Sequence, residues 1–116
     1  MSKLIGKQAE KAAEQYLQAK GLTTIERNYL CKMGEIDLIM LDKDDLVFIE
    51  VRHRRSQAYG GAIGSITYAK QQKIWRTAQH FLQYNAQRYD CEYRFDVIAF
   101  QGSLEQVCWI KNAFSH

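Results

Sequence analysis

The stretch from Gly34 to Arg55, GEIDLIMLDKDDLVFIEVRHRR, constrains the fold more than any other part of the chain. Two runs rich in Ile, Leu, Val and Phe flank the polar tetrapeptide DKDD at 42–45, a pattern that reads as two strands joined by a tight turn. A four-residue loop places Leu41 opposite Leu46 in an antiparallel hairpin, and a two-residue loop gives the same register. Continued along the hairpin, that register sets Asp37 opposite Glu50 and Glu35 opposite Arg52. Side chains alternate across a strand. Glu35, Asp37, Glu50 and Arg52 are therefore expected on one face, and Ile36, Leu38, Val47, Ile49 and Val51 on the other.

Directly opposed side chains start about 5 Å apart at Cβ, so two ionised carboxylates there destabilise the hairpin. A shared proton would relieve the repulsion. So would an ion-pair network joining Glu35 to Arg52 and Asp37 to a lysine, or a hard divalent cation held between Asp37 and Glu50. An oxygen-rich pair without His or Cys favours Mg²⁺ or Mn²⁺ over zinc.

The remaining elements follow from periodicity. From Ile5, the positions Ala9, Ala12, Ala13, Tyr16 and Leu17 recur at helical spacing, and Gly21 stands where a C-terminal cap belongs. TTIERNYL, YRFDVIAF and a shorter VCWI read as further strands, and a second helix starts near Ser65 or Thr67 and runs to about Tyr84. The pattern predicts one α/β domain over residues 1–116, with a mixed central sheet of four to five strands flanked by helices. A chain of 116 residues suits a single core. On the second helix, Lys70 shares the sheet-facing stripe with Ile66, Ile74, Thr77 and Phe81, while Lys73, Arg76, Gln79, His80 and Gln83 lie outside. Lys70 either snorkels to solvent or reaches a phosphate near Asp37 and Glu50. Glu10 sits at the border of its helix's apolar arc, beside Gly6, Ala13 and Leu17.

The net charge of +3 hides an uneven distribution. Residues 51 to 89 carry Arg52, Arg54, Arg55, Lys70, Lys73, Arg76 and Arg88 without one acidic residue, and both flanks are net acidic. A surface kept basic for solubility is one reading. A polyanionic partner is the sharper one, and it makes Arg54, Arg55, Lys70, Lys73 and Arg76 candidates for contact with a nucleic-acid backbone.

Several classes are disfavoured. Cys31, Cys91 and Cys108 are odd in number and lack CxxC or His pairing, so they read as reduced core cysteines rather than a disulfide framework or zinc site. SQAYGGAIGS lacks the GK[ST] ending of a phosphate-cradling loop and reads instead as a mobile flap over the site. His53 is expected to point away from Arg52. Asp96 is suited to holding a backbone group or an arginine, and Trp75 and Trp109 to anchoring core or edge. No apolar run is long enough for a membrane span, and the start is too charged for a signal peptide, so a cytoplasmic, non-membrane protein is expected.

GEIDLI followed by FIEVRHRR, with GKQAEKAAEQYLQAKG and ERNY upstream and RFDVIAF downstream, resembles the YraN-like family of small bacterial proteins over nearly the whole chain. That family is similar in fold to the PD-(D/E)XK nucleases, especially Holliday-junction resolvases and restriction endonucleases. The resemblance implies a restriction endonuclease-like αβββαβ architecture. By the same resemblance, Asp37 and Glu50 match the metal-binding acids, Glu10 matches the helix-borne Glu of resolvase-like members, and a homodimer is implied. Arg52 stands where the superfamily has lysine. Arginine stays protonated at neutral pH, so it can stabilise charge on a phosphate but cannot serve as general base.

Three function classes stay open. The first is a Mg²⁺- or Mn²⁺-dependent endonuclease acting on the phosphodiester backbone, with branched DNA as the resemblance's candidate substrate; Asp37, Glu50, Arg52, Lys70 and Glu10 would be its catalytic set. The second is a nucleic-acid-binding module that keeps the fold without cleaving, with DNA placed ahead of RNA in both. The third is a scaffold for an acidic protein partner.

Overall fold

The computed structural model describes residues 3–54 and 66–115, with side chains from Gly6 onward. Helix α1 (Lys3–Ala19) is followed by strands β1 (Thr23–Cys31), β2 (Gly34–Asp42) and β3 (Asp45–Arg54), helix α2 (Tyr68–Tyr84), and strands β4 (Tyr93–Gln101) and β5 (Val107–Phe114). The sheet runs β1-β2-β3-β4-β5. Among the described residues only β3 and β4 pair in parallel, and the other neighbours are antiparallel. Parallel neighbours need a crossover, and α2 supplies it. The fold is thus the expected α/β domain, with the VCWI segment extended into a full fifth strand.

Local chemistry sets the boundaries. After α1, the Gly21 amide bonds the Gln18 carbonyl and the Leu22 amide bonds the Leu17 carbonyl, both at 3.0 Å. This pair of bonds needs a residue in the left-handed region, and Gly21 has φ +102°. At the start of α2, the Thr67 hydroxyl accepts the Lys70 amide at 3.1 Å, which makes Thr67 the cap, while Ser65 lies outside the described residues. Thr67→Ala is expected to cost about 1 kcal/mol, read as a lower urea midpoint with unchanged slope.

The two helices cover opposite sheet faces. Ala9, Ala13 and Leu17 of α1 pack with Leu38, Met40, Val47 and Ile49. Ile74, Ala78 and Phe81 of α2 pack with Ile39, Leu46, Phe48 and Phe95. Gly34 lies so near α2 that a Cβ there would sit 3.2 Å from Thr77 Oγ1. Lys73 and Arg76 are exposed as expected. His80 departs from its outer placement: its Nδ1 meets the Tyr29 hydroxyl at 2.5 Å. Gln79 donates to the Tyr93 hydroxyl at 3.1 Å. Both are drawn in because polar tips at a helix flank find partners on the rim of the sheet.

Asp96 fills both roles expected of it. Fully buried, it accepts from Arg94 Nε at 3.0 Å, Trp109 Nε1 at 2.9 Å and the Asn112 amide at 2.8 Å. Arg94 continues to Asp42 at 2.8 Å. This satisfied network ties β5 to the hairpin turn and makes Trp109 an anchor. Trp75 packs at the edge of the α2 core. The cysteines need a correction: all three are free, but Cys31 and Cys91 are half-buried and Cys108 is exposed. Cys31 and Cys108 lie on the edge strands β1 and β5, where covering is thin. Among the described residues no helix is long and apolar enough to cross a membrane.

Candidate metal centre and phosphate-binding cleft

The hairpin register is as expected where apolar residues dictate it: Leu41 pairs with Leu46, Met40 with Val47 and Leu38 with Ile49, across a two-residue turn in which Lys43 has φ +59°. The β2–β3 ladder then stops before reaching Asp37 and Glu50. From there β2 stays with β1, Ile36 pairing Tyr29, while β3 stays with β4, Glu50 pairing Val97. The strands diverge, and Asp37 occupies the gap: its Oδ2 accepts the Val51 amide at 2.9 Å. A side-chain oxygen replaces the lost ladder carbonyl.

This divergence corrects the expected alternation. Ile36 was placed on one face with Leu38, but it packs with the α2 cluster while Leu38 packs with α1. Simple alternation fails at Asp37 because its backbone must turn to bring the carboxylate into the gap. The expected pair of Glu35 with Arg52 is not made either. Glu35 is exposed beside Leu30 of β1, and Arg52 Nη2 lies 4.0 Å from Glu50 Oε1. Arg52 Nε is buried without a hydrogen-bond partner.

Asp37 and Glu50 nevertheless converge. Glu50 is buried, 6 % exposed. Burial, followed by the charge and hydrogen bonding of Glu50, pushes the Asp37 carboxyl up to about 8, against the pull of the Val51 amide and Arg52. Without a cation, this carboxyl keeps its proton at neutral pH. Glu10 joins them from α1, its carboxyl raised first by burial and then by Asp37, against the opposing bond from Asn28. Glu35 is raised by burial and by the charges of Asp37 and Glu10, while Lys70 draws it down.

Two tethers hold Glu10 in place. One turn along α1, Glu14 accepts Thr24 Oγ1 at 2.6 Å and Arg27 Nη2 at 2.7 Å, which fastens the helix to β1. Asn28 Nδ2 then donates to Glu10 Oε1 at 3.0 Å. Asn28 has φ +51°, a conformation that asparagine tolerates better than most residues. Periodicity did not single it out. The available signal was an asparagine inside a strand-like run, a residue depleted from strands and suited to the left-handed region.

Glu10, Asp37, Glu50, Arg52 and Lys70 line a cleft of about 200 Å³, together with Gly6, Ala9, Val51 and His53. The structure thus brings together all five residues of the predicted catalytic set. His53 Nε2 is engaged by the Gly102 carbonyl at 2.8 Å. Of the predicted backbone-contacting residues, Lys70 is half-buried at the cleft, Lys73 and Arg76 are exposed on α2, and Arg54 is exposed at the end of β3. Arg55 and the predicted flap lie outside the described residues.

The match to known sequences covers this same framework. The family model described as "Uncharacterised protein family UPF0102" matches residues 9–100, from α1 through β4. The chain belongs to the UPF0102 family. A UPF0102 protein of Saccharophagus degradans is 53% identical over 110 residues, covering 95% of this chain and 92% of that protein. A UPF0102 protein of Pseudomonas fluorescens is 46% identical over 109 residues, covering 94% and 91%. One from Nitrosococcus oceani is 48% identical over 111 residues, covering 94% and 90%. These UPF0102 relatives run nearly the full length of the chain, so both helices and the carboxylate hairpin fall within the shared region.

Proposed function

We propose that this protein hydrolyses the phosphodiester backbone of nucleic acid in the cytoplasm, using Mg²⁺ or Mn²⁺ held by Asp37 and Glu50. The observation that carries the reading is the convergence of these two carboxyls in the gap between β2 and β3, with Asp37 raised to about 8. A carboxyl held protonated up to about 8 beside a second, buried carboxyl suits a hard cation, and the all-oxygen donor set suits magnesium or manganese. Among the described residues no group of three or more His, Cys, Asp or Glu could hold a metal ion alone. Mg²⁺ tolerates this, because it commonly binds through one or two carboxylates and completes its shell with water and substrate phosphate.

The bound ion would lower the pKa of an attacking water and neutralise charge on the phosphate. The protein's own residues do the rest. Asp37, held by the Val51 amide, and Glu50 would hold the ion at a set place beside β3. Arg52 and Lys70 are cations on the same cleft and offset the charge that develops on the phosphate oxygens. Glu10 offers a further carboxyl beside Asp37 to take a proton from water. Arg52 cannot take that proton, which supports a second reading: a binding module that keeps the cleft and the basic face but does not cleave.

Labelled branched, duplex and single-stranded DNA and RNA, incubated with the full chain in Mg²⁺, Mn²⁺ or EDTA, separate the readings. Metal-dependent cleavage that disappears in Glu50→Gln is the expected result. Salt-sensitive binding without cleavage would assign the binding module instead. Absence of both would refute the two together.

A further inference from the structure

A second cleft adjoins the carboxylate cleft. It measures about 400 Å³, lies between α1 and β1, and shares Glu10 and Asp37 with the first cleft. Its other polar lining comes from Lys7, Lys11, Glu14, Arg27 and Asn28. The acids here are already engaged: Glu14 by Arg27 and Thr24, Glu10 by Asn28. Lys7 and Lys11 are less committed, the Lys7 charge being only the weakest of the influences on the Glu10 carboxyl. They lie one helical turn apart, both exposed, and among the described residues neither is in an ion pair. The carboxylates therefore stand at the wall between two clefts, with Lys70 and Arg52 on one side and Lys7 and Lys11 on the other.

Cations on both sides of a central group of acids match a phosphodiester chain better than a lone phosphate. A strand laid across the wall presents one phosphate to the acids and its neighbours to flanking lysines. We infer that the α1–β1 cleft is a phosphate-binding subsite in which Lys7 and Lys11 hold the strand on the side of the site away from α2. The inference rests on the proposed function, and it adds a path for the strand. The basic run at 51–89 does not contain these residues, since on the sequence they fall within a net-acidic half. Only the packing of α1 beside Asp37 brings them to the site.

The test is direct binding by the full chain in Ca²⁺ buffer, an ion that also takes oxygen ligands, using short labelled oligodeoxythymidylate and oligouridylate as probes. The two probes report whether deoxyribose or ribose backbone is taken. Lys7→Ala/Lys11→Ala is expected to bind about tenfold more weakly, with the dependence of log affinity on log salt shallower by about 1.4, two contacts at about 0.7 each on a single strand. Lys20→Ala/Lys111→Ala, in the cleft at the hairpin-turn end, removes the same charge elsewhere and is expected to bind like the parent. Equal losses in the two variants, or a parent-like Lys7→Ala/Lys11→Ala beside a weakened Lys70→Ala, would overturn the subsite and leave the proposed function standing. Failure of the parent to bind either probe would overturn the subsite as a path for a single strand, while the proposed function is decided separately by the panel of branched, duplex and single-stranded substrates. Both lysines are exposed, so neither substitution threatens folding.

Discussion

Asp37→Asn is expected to stabilise the protein and abolish metal-dependent cleavage at the same time. The Asp37 carboxyl titrates at about 8 in the folded chain, against an ordinary value of 3.8. The folded state therefore binds a proton that the unfolded chain has released. Between those limits, stability falls as pH rises; the contribution of the protonated acid is fully present below about 4 and gone above about 8. Asparagine cannot titrate, can still accept the Val51 amide, and can donate to Glu50. Four units would correspond to about 5 kcal/mol, and since Asp37 is only half-buried we expect on the order of 3 kcal/mol at neutral pH. Urea unfolding in EDTA at several pH values checks this: the advantage of the variant should be near zero at about pH 4 and level off above about pH 8. A variant less stable than the parent at neutral pH, or an advantage independent of pH, would show that the carboxyls do not strain the fold. Saturating Mg²⁺ should raise the parent's stability by about 2.7 kcal/mol at a hundred times its dissociation constant, and should leave the variant unmoved.

Arg52→Ala should slow cleavage about a hundredfold, roughly 3 kcal/mol of transition-state stabilisation, while changing stability by no more than about 1 kcal/mol. The structure sharpens the contrast. Arg52 does not pair with Glu35; it stands 4.0 Å from Glu50, with its Nε buried and unpartnered. Removing the side chain loses a loose ion pair but also releases an unsatisfied donor, and the two effects oppose each other. Lys at this position retains the positive charge and, unlike arginine, can also give up a proton, so Arg52→Lys should cleave as well as the parent or better. Unfolding and single-turnover rates measured on the same preparations decide the role. A rate unchanged in Arg52→Ala would remove Arg52 from the catalytic set. Lost stability with an unchanged rate would make it a structural residue.

The legibility of the site differed from one residue to the next. Asp37 and Glu50 stood out because acids interrupt apolar runs whose register the hairpin dictates. Lys70 could be placed because helical periodicity assigned it to the sheet-facing stripe. Asn28, Lys7 and Lys11 carried no comparable signal. Each sits on an exposed surface where local pattern imposes little, and its relevance comes from which element packs beside it. Glu35 and Ile36 were misplaced for the opposite reason, since strict alternation was carried past the point where the strands separate.

By itself the sequence determined the elements, the order αβββαβ with its final edge strand, and the pairing of Leu38–Leu41 with Leu46–Ile49 across a tight turn. These depend on short-range periodicity, capping chemistry and the burial of alternating apolar residues, all encoded within a few positions. Tertiary structure alone decided how the hairpin opens beyond Leu38. There β3 takes β4 as its parallel neighbour, β2 stays with β1, and the Asp37 carboxylate fills the space between them. It also decided that α1 lies close enough to bring Glu10, and with it Lys7 and Lys11, to the same wall. Contacts between elements far apart in the chain depend on which faces pack together, and that choice is made by the whole core rather than by any one segment.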